Sequence, residues 1–170
     1  MEKKLKTINA TLSLFIDGGN VLLGEKKRGF AKGTLNGIGG KQDPNETIRQ
    51  AMVRECIEEI GVKPTRYELV GKIDFDTYYK GEHINMNMHI YKCYEYVGTI
   101  TETDEIRPIW YNINNIPFER MLQDDLLWLP DILKGNKIIG KVKFDKDMNM
   151  LSHNFMITEK LDDEELSLSF

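Results

Sequence analysis

Glu55, Glu58 and Glu59 stand at i, i+3 and i+4, the spacing that gathers side chains within one arc of a helix surface. Three carboxylates that close repel one another. Glu58 and Glu59 also lie just before Gly61, a natural helix stop, and the macrodipole disfavours anions at that end. Arg54 is the neighbouring cation, too little positive charge for three negative ones. A solvated acidic face is the ordinary reading of a Glu-rich helix. Here the charges gather where local rules oppose them, and such conflicts are expected at functional sites. A hard dication with oxygen ligands resolves the conflict, because Mg2+ takes carboxylates plus waters and is commonly shared with substrate phosphates.

The residues around the ridge read as its supports. Asp43 as cap, Pro44 at the first helical position and Glu46 three residues after Asp43 predict a helix from about 44 to 60, ended by Gly61 with Pro64 beyond it. At about 100° per residue, Met52, Val53, Cys56, Ile57 and Ile60 fall on one inward face. Gly39-Gly40 lets a backbone carbonyl approach a metal where a Cβ would block it. Glu46 and Arg54 are two turns apart, and the planar fork of Arg54 can orient carboxylates.

The other elements follow from alternation and turn residues. Thr7 to Ile16 and Val21 to Leu23, separated by Asp17-Gly18-Gly19-Asn20, predict a hairpin. The glycines between Arg28 and Gly40 predict a loop with close backbone approaches. Long strands near Glu68–Tyr79 and Ile84–Tyr96 join at Lys80-Gly81-Glu82. The second sets Ile84, Met86, Met88 and Ile90 on one face, with Asn85, Asn87, His89 and Tyr91 on the other. Ile109 to Tyr111 reads as a short strand and Asp124 to Lys134 as a second helix interrupted by Pro130. Ile138–Phe144 and Met150–Ile157 read as a last hairpin. The pattern predicts one α+β domain.

Size and charge narrow the function. With 170 residues, 41% hydrophobic and 29% charged, the chain fits one ordinary globular domain. The net charge of −4 equals that of residues 159–170 alone, which hold Glu159, Asp162, Asp163, Glu164 and Glu165 against Lys160. The domain is therefore read as residues 1–158, neutral overall, followed by an acidic tail expected to be flexible. A neutral domain has no basic field for a nucleic acid polymer. Cys56 and Cys93 lack metal-ligand spacing and read as buried apolar residues of a reducing compartment. No membrane span or targeting segment is legible, so the expected location is cytoplasmic.

Gly40-x5-Glu46-x7-Arg54-Glu55-Cys56-Ile57-Glu58-Glu59-Ile60-Gly61-Val62 resembles the 23-residue Nudix box, departing from it only at Cys56. The resemblance implies an α/β/α sandwich with a mixed sheet that hydrolyses a nucleoside diphosphate derivative with Mg2+ or Mn2+. The flanks are similar to the branch acting on oxidised purine nucleoside triphosphates. They include Val21 to Gly24, Lys26 to Phe30, Asn36 to Lys41, Asp104 to Pro108, Ile116 to Phe118 and Asp124-Asp125 with Trp128. The implied reaction converts 8-oxo-dGTP, or a related nucleotide, to the monophosphate and pyrophosphate, cleansing the nucleotide pool.

Carried over by position, the resemblance makes Glu55, Glu58, Glu59, Glu105 and the Gly39 backbone metal ligands, with Arg54 and Glu46 completing the catalytic set. Thr11, Lys26, Phe30, Asn36, Phe75, Met86, Leu122, Asp124, Asp125 and Trp128 line the nucleotide pocket, the two aspartates reading the purine edge. Chemistry supports such a pocket independently: two adjacent buried aspartates cannot both ionise cheaply, so one can donate where the other accepts. Leu122 stands where the resembled enzymes carry a stacking tryptophan. That difference leaves open an unmodified nucleotide, a dinucleoside polyphosphate or a nucleotide sugar as substrate. A non-catalytic nucleotide-sensing module is the other alternative, and the retained repelling glutamates argue against it. The partner is a small-molecule nucleotide, and no oligomeric state is assigned.

Overall fold

The alternating pattern of the central strands decides the architecture. The computed structural model describes residues 4–29 and 31–161. Its longest strands, β4 (Lys63–Tyr79) and β5 (Glu82–Val97), pair antiparallel around Lys80 and Gly81. Both turn residues have positive φ (50° and 78°), as a tight two-residue hairpin turn requires. β1 (Lys6–Asp17) runs parallel to β5, and β7 (Lys137–Phe144) runs parallel to β4. β2 (Asn20–Lys26), β3 (Leu35–Asn36), β6 (Ile106–Asn112) and β8 (Met150–Thr158) complete a mixed sheet. Its order is β3-β2-β1-β5-β4-β7-β8, with β6 also paired to β2.

Successive strand residues point to opposite faces, so the sheet carries two apolar surfaces, each packed against a helix. Leu12, Leu14, Ile73, Ile90 and Val142 pack with Trp128, Leu129 and Ile132 of α2 (Asp125–Leu133). On the other side Phe15, Leu22, Tyr91 and Cys93 pack against Met52, Cys56 and Ile60 of α1 (Ile48–Ile60). Burying each large side chain contributes about 1.5–3 kcal/mol, so these two interfaces hold the sandwich together. Cys56 and Cys93 are both free and buried, and burial pushes the Cys93 thiol up to about 12.

Three local expectations need correction. α1 starts after Thr47, whose hydroxyl accepts from Gln50 N–H while the Gln50 side chain accepts from Thr47 N–H. It does not start at Asp43, because Asn45 at φ 68° breaks the helical path. Ile57 is 48% exposed and does not join the inward face; Glu59 is the residue that turns in, at 8%. Pro130 does not interrupt α2. The carbonyl it leaves without an N–H partner is that of Leu126, a residue on the solvent side where water can take it. Phe30 and residues 162–170, most of the expected tail, lie outside the described residues. No helix among the described residues is long and apolar enough to cross a membrane.

Candidate active site

Gly61 fixes the end of α1. At φ 77° it adopts the left-handed conformation, and its N–H donates to Ile57 O at 3.0 Å. The helix register then sets Arg54, Glu55, Glu58 and Glu59 over the loop that follows β3. Arg54 ties the two together. Its Nη2 and Nε donate to the two Glu46 oxygens at 2.7 and 3.1 Å, and Nη2 also reaches Lys41 O at 2.9 Å. Nη1 donates to Glu55 at 3.0 Å and to Glu58 at 3.1 Å. Glu46 in turn accepts from Asp43 N–H at 2.7 Å. The Arg54 bond holds Glu46's carboxyl below the usual range, whereas burial raises Glu55 against the opposing pull of Arg54. Such a bidentate pair fixes orientation as well as charge.

Among the described residues Glu59 has no cation beside it. Its Oε2 accepts from Gly39 N–H at 3.0 Å, and Thr103 Oγ1 donates to its backbone carbonyl at 2.8 Å. Burial first, and the charge of Glu55 second, push its carboxyl up to about 8, with Glu105 and Glu58 adding to the effect. The two glycines opposite leave no room for a side chain. A Cβ on Gly40 would lie 2.5 Å from the Glu55 carboxylate, and one on Gly39 would lie 1.9 Å from Thr11 O. The second clash is with backbone, so no rotamer relieves it. Gly39→Ala is expected to destabilise the protein by about 3 kcal/mol, the upper end of overpacking. Gly19→Ala, where nothing stands within 4 Å, should change little. Denaturant midpoints of the two variants check this.

The sequence-derived ligand set is partly gathered. Glu55, Glu59 and the Gly39 backbone converge. Glu58 leans to Arg54 with its side chain 58% exposed, and Glu105 pairs with Arg28 at 3.3 Å. Among the described residues no three acidic, histidine or cysteine side chains are already drawn tightly enough to grip an ion. The donors are nevertheless all hard oxygens, burial first and the Glu55 charge second raise the proton affinity of Glu59, and no cation is paired with it among the described residues. That chemistry fits a divalent metal.

The α2 face holds the second group. Trp128 Nε1 donates to Asp124 Oδ2 at 2.8 Å, while Asp124 Oδ1, also buried, has no hydrogen-bond partner among the described residues. Asp125 Oδ2 accepts from Leu122 N–H at 3.0 Å. Asp124 makes no side-chain cap to α2, so capping does not explain the pair. Burial raises both carboxyls, Asp125 the further because the charge of Asp124 adds to it. Phe75 and Met86 are cross-strand partners on this face, and half-buried Leu122 precedes the pair.

The remaining expected pocket residues scatter. Asn36 sits exposed in β3, its side chain accepting from Gly37 N–H at 2.9 Å, and Lys26 ends β2 half-buried. Thr11 alternates with Leu12 onto the α1 side, its hydroxyl buried there and its backbone carbonyl against Gly39, on the sheet face opposite Phe75 and Met86. Sequence reasoning missed Phe144, which stacks on Phe75 at 6.3 Å, and Met148, whose Sδ takes the Thr77 hydroxyl at 3.7 Å. They arrive from the last hairpin, and no local spacing links them to Phe75.

Comparison with known proteins adds four findings. The NUDIX domain family model matches residues 6–132. The chain is 41% identical to the oxidized purine nucleoside triphosphate hydrolase of Danio rerio over 155 residues, 91% of this chain and 94% of that one. It is 39% identical to the protein of the same name from Mus musculus, covering 85% and 91%. Among solved structures, the MutT protein from Bacillus halodurans superposes with a TM-score of 0.76 at 22% identity, covering 87% of this chain and 97% of that one.

Proposed function

The chain belongs to the NUDIX family, and from that premise we propose that it hydrolyses oxidised purine nucleoside triphosphates, 8-oxo-dGTP being the type substrate, to the monophosphate and pyrophosphate. The observation that carries the substrate reading is the buried Asp124–Asp125 pair. One carboxylate oxygen there is left unpaired on the sheet face that also presents Phe75 and Met86. A purine needs such a slot: apolar walls and a few polar groups placed for its edge. An 8-oxo group changes the purine's donors and acceptors, and buried groups left unpaired by the wrong base are heavily penalised.

Glu55, Glu58, Glu59, Glu105 and the Gly39 backbone would hold Mg2+, or Mn2+ in its place. When bound, the ion supplies charge neutralisation for the polyphosphate and acidification of a water. The chain's own residues do the rest. Arg54 and Glu46 hold the carboxylate ridge against the Lys41–Glu46 loop, so the ligands are set before substrate arrives. Gly39 N–H holds Glu59 Oε2 and so fixes the orientation of a carboxylate that would take the proton of the attacking water. In-line attack of that water on phosphorus then breaks the bridge between the α- and β-phosphoryl groups, releasing the monophosphate and pyrophosphate.

Nucleoside monophosphate formation with Mg2+ should be measured over 8-oxo-dGTP, 2-oxo-dATP, dGTP and ADP-ribose. Oxidised purine triphosphates are expected to turn over best. Hydrolysis of ADP-ribose with none of the triphosphates would overturn the substrate reading and leave the metal-ridge chemistry standing.

A further inference from the structure

α1 covers only one end of its sheet face. Beyond Tyr91 and Cys93 the same face continues uncovered across β5, β4, β7 and β8, in a trough of about 520 Å³ lined by Lys72, Asp74, His89, Ile139, Lys141 and Met156. A second hollow adjoins it, sharing Asp74 and Lys141 and adding Asp76 and Lys143. Alternation along β7 sets Lys137, Ile139, Lys141 and Lys143 on this side. Lys72, Lys137, Lys141 and Lys143 outnumber Asp74 and Asp76, and His83 engages Asp76 at 2.5 Å. No ion pair holds any of the four lysines among the described residues. Ile139 and Met156 add exposed apolar surface, 38% and 58% accessible. An open face with unneutralised lysines beside apolar side chains calls for an acidic occupant with apolar residues of its own.

The chain supplies one. β8 ends at Thr158, opposite Lys137, and the Thr158 hydroxyl donates to Lys160 O at 3.0 Å where the chain leaves the strand. The sequence then reads Asp162-Asp163-Glu164-Glu165-Leu166-Ser167-Leu168-Ser169-Phe170. In an extended run Asp162 and Glu164 would share one side with Leu166, Leu168 and Phe170, two acids and three apolar residues to set against the lysines and the apolar surface of that face. Nine residues reach about 30 Å when extended. Crossing from β8 to β5 spans three strand intervals, roughly 15 Å. We propose that residues 162–170 dock back across the open lysine face of the same chain's sheet. Docking would also keep that basic strip from collecting polyphosphates away from the catalytic ridge.

Zero-length carbodiimide coupling joins a carboxylate to an amine only where the two are in contact. On the full-length chain, mapped by mass spectrometry, it should link residues 162–165 to Lys72, Lys137, Lys141 or Lys143 within one molecule. The distant exposed lysines Lys32 and Lys63 should not be linked. High salt should abolish the links. So should K141E/K143E, in which two exposed lysines are reversed. The second variant, D162N/D163N/E164Q/E165Q, removes the coupling carboxylates without touching the described fold, and its remaining links give the background. Links spread evenly over surface lysines, links surviving in K141E/K143E, or links joining two copies of the chain would each overturn the proposal.

Discussion

Glu59→Gln is expected to lower kcat by about a thousandfold or more while the protein stays folded. Gln at this position keeps an oxygen to accept from Gly39 N–H, so the 3.0 Å bond between α1 and the loop survives. What disappears is the charge, and with it both a hard metal ligand and the group that takes the proton of water. The fold should gain rather than lose. In metal-free protein the Glu59 carboxyl lies at about 8, well above its ordinary 4.5, so the native state retains a proton that the unfolded chain gives up. The stability tied to that proton is full below about pH 4.5 and is lost as pH rises through about 8. Glu59→Gln removes this slope. Metal-free variant and wild type should therefore melt alike near pH 5, with the variant higher at pH 8. Adding Mg2+ should close the gap from the wild-type side. Undiminished turnover in the variant would remove Glu59 from the mechanism; an unchanged melting profile would mean that its burial exerts no strain.

That inversion also explains which parts of the site were legible in the sequence. The spacing of Glu55, Glu58 and Glu59 and the stop at Gly61 are local, and helical periodicity places them without knowledge of the fold. The same periodicity misassigned Ile57 and Glu59. Hydrophobicity decides which face turns inward, and here the site buries a carboxylate while an isoleucine faces solvent. The helix start was misread for a related reason. Glu46 does bond Asp43 N–H as a capping partner would, but it does so from a loop, on the way to its pairing with Arg54. The relation of Asp124 to Trp128 was recoverable, since i and i+4 meet on a helix. The Phe75–Phe144 stack was not, because only the parallel pairing of β4 with β7 creates it. Thr11 shows the converse: its type suits a nucleotide pocket, yet alternation along β1 turns it to the other face.

Asp124→Asn is expected to cut kcat/KM for oxidised purine triphosphates by about a hundredfold or more, leaving Mg2+ affinity unchanged. The asymmetry of the carboxyl decides this. Oδ2 is already committed to Trp128 Nε1–H at 2.8 Å, and an asparagine must keep its single carbonyl oxygen there or leave the buried indole unpaired. The position now held by the unpaired Oδ1 then becomes an amide NH2. An acceptor turns into a donor, and a base edge offering an N–H meets another N–H. Asp125 also loses a neighbouring charge. Asp124 raises its carboxyl on top of burial, so the variant should soften the repulsion between the two and stand at least as stable as wild type at neutral pH. Lost turnover with retained or raised stability separates base reading from structural support. The metal ridge lies across the sheet on α1, so a phosphate-bearing substrate that makes no use of the slot should be hydrolysed by the variant as by wild type. Equal losses on every nucleotide, or a weakened Mg2+ titration, would place Asp124 in the general architecture instead of in recognition of the base.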